Sequence, residues 1–498
     1  MRVFGNLVRL ALILISLLGV PRLWTQGPLY QTDNLVRVDL HPNKFYIFGA
    51  MDGTPKDVQQ AEAVLTLNSV VEDAAKNYPA IQISQGELNA SAARIQLARS
   101  AYLPRVDALA QFNRGTRNNV FGSLLPQGIV PSMSGPVIGS NNGGSVWGST
   151  MGVHIAWQPF DFGTRAASVR AAQAGRDRAF AANVRTRLEI ETASADAYLS
   201  VIASLQMQKA AQTAVDNWET LRRSIHALAA AELRPGADES RVNAEKAAAA
   251  NQLALAQQSV DSSLATLRKF QSSPATFPTS DQTLLKKVPE AVGKEAPFTA
   301  DSNPLMAEQK AATAENEAQL KALQRSWAPQ FDLEGSAYAR GTGAETNGQR
   351  LSGTNGLAPN VGNYVVGVNI TFPLMDFSSI HAKTSAQASL TRAAKANEDL
   401  TTRNLREQFD QALAELRATE TIAQNTPLQL EAAQASFDQS SARYKAGLAA
   451  IDDVAQAQRL LVQADIDNSI ARLSVWRAFL KLQYIRGDLQ PFLQEANR

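Results

Sequence analysis

The feature that most limits the folds open to this chain is that nearly everything in it occurs twice. Pro79 lies 25 residues before Pro104, and Pro304 lies 25 before Pro329, with an Ala/Gln/Glu/Leu-rich run between each pair. Asp161-Phe162 is matched by Asp376-Phe377; from each aspartate it is 72 residues to a leucine, Leu233 or Leu448, and five more to Asp238 or Asp453. The chain is a tandem duplication of roughly 215 to 225 residues, each copy reading helix, strand, loop, strand, long helix, turn, long helix.

Each copy contributes two strands, expected at about 105–114 and 147–158, then 330–340 and 363–372. In WGSTMGVHIAW, Trp147, Met151, Val153, Ile155 and Trp157 share one parity, and in NYVVGVNITF so do Tyr364, Val366, Val368, Ile370 and Phe372. A strand apolar on one face, aromatic at its ends and small or polar on the other face is built to meet lipid. Val106, Ala108, Ala110 and Phe112, then Phe331, Leu333, Gly335 and Ala337, give weaker versions in the partner strands. Long Gly/Asn/Pro-rich loops, 115–146 and 341–362, join each pair as barrel-rim loops do. A soluble sandwich would need a compact partner for the apolar face, and the rest of the chain offers none. Four strands cannot enclose an aqueous channel, which takes about eight or more. An open sheet edge in lipid would leave backbone groups without hydrogen bonds. Several copies must therefore build one barrel.

The remaining mass is helical. From about 165 to 270 and 381 to 484, Ala, Gln, Glu, Leu and Arg prevail, and Pro427 is the one proline inside a long arm. The outgoing arms, about 165–232 and 381–445, run on the order of 100 Å each. The returning arms carry narrow seams, Leu253, Val260, Leu264 and Leu267 in one, Ile466, Ile470, Leu473 and Leu480 in the other, suited to side-by-side packing. AELRPGADES and YKAGLAAIDD are the turns, where Pro235-Gly236 and Gly447 break helix. Asp238 and Asp453 then stand where a carboxylate caps a new helix, and Asp453 with Gln456 resembles a capping box.

Arg2 and Arg9, the apolar run LALILISLLGV and Pro21 read as a secretory signal over residues 1–26. Residues 27–61 form an extension with no functional reading, 271–303 a Pro/Ser-rich connector, and 486–498 a tail. With no cysteine, the exported chain has no disulfide, no thiolate metal site and no cysteine for lipid modification. No run of 18 apolar residues follows the signal, so a membrane form must be a β-barrel. A net charge of +2 gives no case for nucleic acid. Histidines 41, 154, 226 and 381 lie far apart, and no phosphate loop, nucleophile elbow or complete dinucleotide fingerprint is present. No enzyme, cofactor or metal is expected.

The ordered set of TLNSVVEDAAKNYPAI, LPRVDALAQF, WQPFDFGTR, AELRPGADES, APQFDLEGSAY and YKAGLAAIDDV resembles the TolC-like outer-membrane efflux proteins over about residues 62–498. The resemblance implies a mainly helical fold with a membrane β-barrel, twelve strands from a homotrimer continued by a helical periplasmic tunnel. It implies an exit duct for small molecules or proteins, docked to a periplasmic adaptor and an inner-membrane pump. Asp453 takes the place of an aspartate lining the closed entrance, with Asp238 its counterpart and Asp452 beside it. Ala449 and Gln456 stand where some members carry the other partners of a salt-bridged gate, so that gate does not carry over. Leu233, Tyr444, Gly447 and Leu448 are the expected adaptor contacts at the tips. The competing reading is a periplasmic protein of long helical hairpins with no barrel.

Overall fold

A computed structural model describes residues 65–116, 144–230, 236–272, 284–285, 287–289, 297–345 and 349–497. The signal segment, the extension, Leu233, most of the first rim loop and much of the connector lie outside them.

Thr66 caps α1 (Leu67–Asn77): its hydroxyl accepts from the Ser69 N–H, and the Ser69 hydroxyl accepts from the Thr66 N–H. Pro79 then opens α2 (Pro79–Ser100), where a missing N–H costs nothing. Strands β1 (Arg105–Thr116) and β2 (Ser145–Phe160) follow, then the hairpin α3 (Thr164–Ala230) and α4 (Gly236–Arg268). The second copy repeats the order as α5 (Pro304–Gln324), β3 (Gln330–Thr342), β4 (Val361–Thr371), α6 (Phe377–Lys445) and α7 (Ile451–Arg486). A short α8 (Gln490–Ala496) lies within the expected tail and is not loose, for Phe492 is fully buried. At 67 and 69 residues, α3 and α6 each extend about 100 Å. None of the described helices is apolar enough to cross a membrane.

The four strands form one antiparallel meander in the order β1-β2-β3-β4, so the two copies join through β2 and β3. Register aligns their faces. Ala110, Met151 and Ala339 stand opposite one another, as do Ala108, Val153 and Ala337, and Ile155 pairs with both Val106 and Gly335. The other face carries Asp107, His154 and Ser336 in one row and Arg105, Ala156 and Glu334 in the next. Every charged strand residue except Arg114 falls on this second face.

The main core lies where α1, α3, α7 and α8 meet around Tyr198, Leu199, Ile202, Phe479 and Phe492. Trp476 anchors the connector to it, its indole N–H donating to the carbonyls of Leu284 and Lys287. Asn303 fastens the connector's other end, since its side chain caps α5 at Leu305 and donates to the Ile485 carbonyl at 2.8 Å.

Candidate functional site

The strand-to-helix junction fixes one end of the molecule. Asp161 accepts from the Gly163 and Arg165 N–H groups and, at 2.9 Å, from the Arg165 guanidinium. Burial pushes the Asp161 carboxyl up, but the backbone and guanidinium hydrogen bonds outweigh it and hold the group below its usual range. Arg165 is itself buried, donates to the Ala101 carbonyl at 3.0 Å and lies over the Tyr102 ring. From the second copy, Arg325 donates to the Phe162 carbonyl, and the Thr164 hydroxyl donates to the Arg325 carbonyl. The aspartate and arginine stand four apart in WQPFDFGTR, so the pairing was readable in sequence and was missed.

The matching junction of the second copy has no such lock. Ile380 replaces Arg165, and Leu374, Met375 and Phe377 are exposed, Met375 to 95%. A cavity of about 660 Å³ opens there, lined by residues including Trp327, Phe372, Leu374, Phe377 and Ile380.

The sheet presents its apolar face outward from the chain. Met151, Val153, Ile155, Trp157, Tyr364, Val366, Val368, Ile370 and Phe372 are all exposed, Phe372 just beyond the end of β4. Trp147 differs. It is half-buried, the Arg114 guanidinium lies 5.2 Å above its ring, and Gly343 of the second rim loop bonds its carbonyl. Loop packing takes the upper end of β2 out of the exposed band. On the opposite face His154 is 1% exposed, set between Asp107 and Ser336, and neither ring nitrogen has a partner among the described residues.

The far end gathers the candidate entrance residues. Trp218, Leu221, Ile225 and Val242 of the first hairpin pack with Tyr444, Ile451 and Val454 of the second. Tyr444 is 1% exposed, and its hydroxyl donates to the Asp238 carboxylate at 2.9 Å. It lies beneath the tip surface and ties the copies together. Asp452 pairs with Arg241 at 2.5 Å, and Arg459 reaches Glu245 at 3.5 Å, both again across the copies. The sequence had singled out Asp238, Asp452 and Tyr444, but not Arg241 and not the pairing of Tyr444 with Asp238.

Asp453 stands apart from these links. Ala450, not Asp453, is the residue flanking α7, and Asp453 occupies the third helical position, where its carboxylate accepts the Ala450 N–H at 3.2 Å. That is the reach-back half of a capping box, one turn earlier than the expected pairing with Gln456. Gly447 makes the preceding turn with a φ of 79°, a region that costs glycine little, and leaves Leu448 71% exposed beside it.

Within the first hairpin, Glu219 gathers Arg222, Arg223 and Lys246 within 3.0 Å. Hydrogen bonds from Arg222 first, then Lys246 and Arg223, hold its carboxyl far below the usual range. His226 meets Glu239 at 2.8 Å. Among the described residues no cluster of acidic or histidine side chains could hold a metal ion.

Comparison with known proteins agrees with this architecture. Residues 70–271 and 299–488 match the family described as outer membrane efflux protein. The CmeC outer membrane channel of Campylobacter jejuni aligns with a TM-score of 0.67 at 15% identity, over 84% of this chain and 85% of that one. The outer membrane protein VceC of Vibrio cholerae gives 0.66 at 16% identity, over 85% and 96%. The MtrE outer membrane channel of Neisseria gonorrhoeae, in its open state, gives 0.67 at 18% identity, over 85% and 89%. No curated protein matches the chain in sequence.

Proposed function

The chain belongs to the outer membrane efflux protein family, and on that premise we propose that three copies form the exit duct of a tripartite efflux or type I secretion system. The family is one of outer-membrane channels, so the protein resides in the outer membrane and is not an enzyme. That placement excludes the alternative of a periplasmic hairpin protein without a barrel. The duct passively conducts small molecules or proteins from the periplasm to the exterior, with energy supplied by an inner-membrane pump through a periplasmic adaptor.

The sheet carries this reading: four strands in register, one face apolar and exposed, the other polar, and two edges left for other copies. The exposed face from Met151 to Trp157 and from Tyr364 to Phe372 meets lipid, and the face with Asp107, His154 and Glu334 lines the lumen. The entrance lies at the helical tips, closed by the Tyr444–Asp238 and Arg241–Asp452 links. Three Asp453 carboxylates ring the mouth and favour cations there, in addition to capping α7. Leu448 and Gly447 meet the adaptor; Tyr444 supports that surface from below.

Fractionation and bilayer recording test the proposal together. A detergent-resistant trimer from outer membranes that conducts stepwise current supports it, and a soluble monomer overturns it. Asp453→Asn should reduce cation preference. Unchanged selectivity leaves that residue with its cap alone.

A further inference from the structure

A second cavity lies on the other side of Trp327 from the apolar one at the β4 junction. It encloses about 1010 Å³ between the start of α3 and the end of α5, and Gln324, Trp327 and Pro329 line both cavities. Phe162 lines it and fixes which side of the sheet it opens on, since its ring lies 5.5 Å from that of Phe160 and 5.9 Å from that of Phe331. Phe331 shares the parity of Leu333 and Gly335, which pair with Trp157 and Ile155 on the apolar face. The cavity therefore opens on the outer side, at the helical margin of the lipid-facing band. Phe162 takes up this position with a φ of 50°, a left-handed conformation uncommon for a residue that carries a side chain. Because α3 follows β2 and α5 precedes β3, the groove sits below the two inner strands, away from both sheet edges.

Charge separates the two cavities. The one at the β4 junction is lined by no Lys, Arg, Asp or Glu among the described residues. The one between α3 and α5 carries Arg170, Lys321 and Arg325, all exposed, and a single carboxylate, Glu317. Lys395 holds that carboxylate at 2.7 Å, and Lys321, one turn along α5, acts on it only at longer range. Arg325 gives one N–H to the Phe162 carbonyl at 2.9 Å and has no carboxylate. Arg170 and Lys321 form no ion pair among the described residues. The duplication does not account for this charge. Moved on by the 215 residues from Asp161 to Asp376, Arg170 falls on Ser385; moved back by the 225 from Pro329 to Pro104, Lys321 falls on Gln96.

Resting on the reading of the exposed strand face as lipid-facing, we propose that this groove binds the headgroup of an anionic phospholipid from the periplasmic leaflet. Arg170, Lys321 and Arg325 hold the phosphate, and the acyl chains rise over Phe162 and Phe160 onto the strand face. Guanidinium groups present a fork that matches phosphate oxygens, and an ammonium adds a point charge. Trp327, 67% exposed, has the apolar ring and polar N–H that suit headgroup depth. A zwitterionic lipid brings its own cation beside the phosphate and gains less from three basic side chains, so the groove selects net negative charge. A soluble anion would leave the aromatic rim uncovered. Since α3 and α5 come from different copies, the bound lipid also bridges the copies just below the sheet.

Native mass spectrometry of the detergent-purified protein tests this, with dioleoylphosphatidylglycerol as the anionic probe and dioleoylphosphatidylcholine as its zwitterionic match. One phosphatidylglycerol per chain should be retained in preference to phosphatidylcholine. Each basic side chain at a lipid surface contributes about fivefold, so Arg170→Gln with Lys321→Gln should weaken phosphatidylglycerol roughly thirtyfold and leave phosphatidylcholine unchanged. Arg170→Lys with Lys321→Arg keeps the charge and should keep the preference, which separates loss of charge from loss of fold. Equal retention of the two lipids, or a preference that survives the double glutamine variant, overturns the inference and leaves the duct reading standing. Inorganic phosphate that displaces phosphatidylglycerol at equal concentration also overturns it, as the mark of a simple anion site. A protein that fails to enter vesicles of either lipid overturns the lipid-facing reading as well.

Discussion

The two copies are joined at both ends of the molecule, by different means. Near the membrane, β2 and β3 share a continuous ladder from Gly148↔Thr342 to Trp157↔Leu333, with Phe160↔Phe331 beyond an irregularity, and Arg325 and Thr164 add side-chain clamps to backbone carbonyls. At the periplasmic end the join is a buried apolar cluster with one tyrosine–aspartate hydrogen bond and two ion pairs, of which Arg241, Asp452 and Arg459 are exposed. Ladder bonds fix register and cannot be released singly. Side-chain links can, at modest cost. In the proposed duct, stability belongs to the junction and movement to the tips.

Substitutions at the two ends should therefore separate folding from conduction. The largest effect belongs to Arg165→Ala. Removing the guanidinium leaves the Asp161 carboxylate buried without its cation, a loss of about 3 kcal/mol. Thermal unfolding should show it as a lower midpoint, with single-channel current unchanged in the protein that survives. Tyr444→Phe comes next: a hydrogen bond to a carboxylate contributes about 2 kcal/mol, so its loss shifts the closed-to-open ratio roughly thirtyfold. Here the current should change, and the unfolding midpoint should fall less than in Arg165→Ala. Arg241→Ala breaks an exposed pair worth under about 1 kcal/mol and should open the tips less, in the same direction.

A smaller, pH-dependent effect lies between the ends. Burial pushes the Asp465 carboxyl up, against a weaker pull from Lys209. A raised folded-state value means that the native chain holds this proton longer than the unfolded one. Its contribution to stability therefore falls as pH rises above the ordinary carboxylate value of 3.8 and stays unfavourable at neutral pH. Asp465→Asn should raise the unfolding midpoint at pH 7 and lose that advantage below the ordinary value. Equal gains at both pH values would show that packing, not charge burial, is responsible.

Much of this architecture was legible because its signals are periodic. Period-two alternation marked four strands, and equal spacing from Asp161 and Asp376 marked the duplication. The resemblance to efflux proteins rested on the same ordered stretches and agrees with the family match. What sequence could not supply was contact between distant segments. Tyr444 looked like a surface residue at a turn, yet its partner lies 206 positions earlier, and no local pattern reports that bond. Trp147 shares the parity of Met151 and Val153, but loop packing, to which alternation is blind, covers its end of the strand. Asp453 was legible as a cap and misplaced by one turn, because the chain begins α7 at Ile451 with an alanine flanking it. The Asp161–Arg165 lock was within reach, since i, i+4 spacing is a local signal.

Current through single channels of the Tyr444→Phe, Arg241→Ala double variant in planar bilayers tests the central claim most directly. If the protein is a duct closed at its helical tips and fixed at its sheet, the variant still assembles as a folded trimer and conducts more than the parent. A variant that is properly trimeric and conducts no more than the parent contradicts the account.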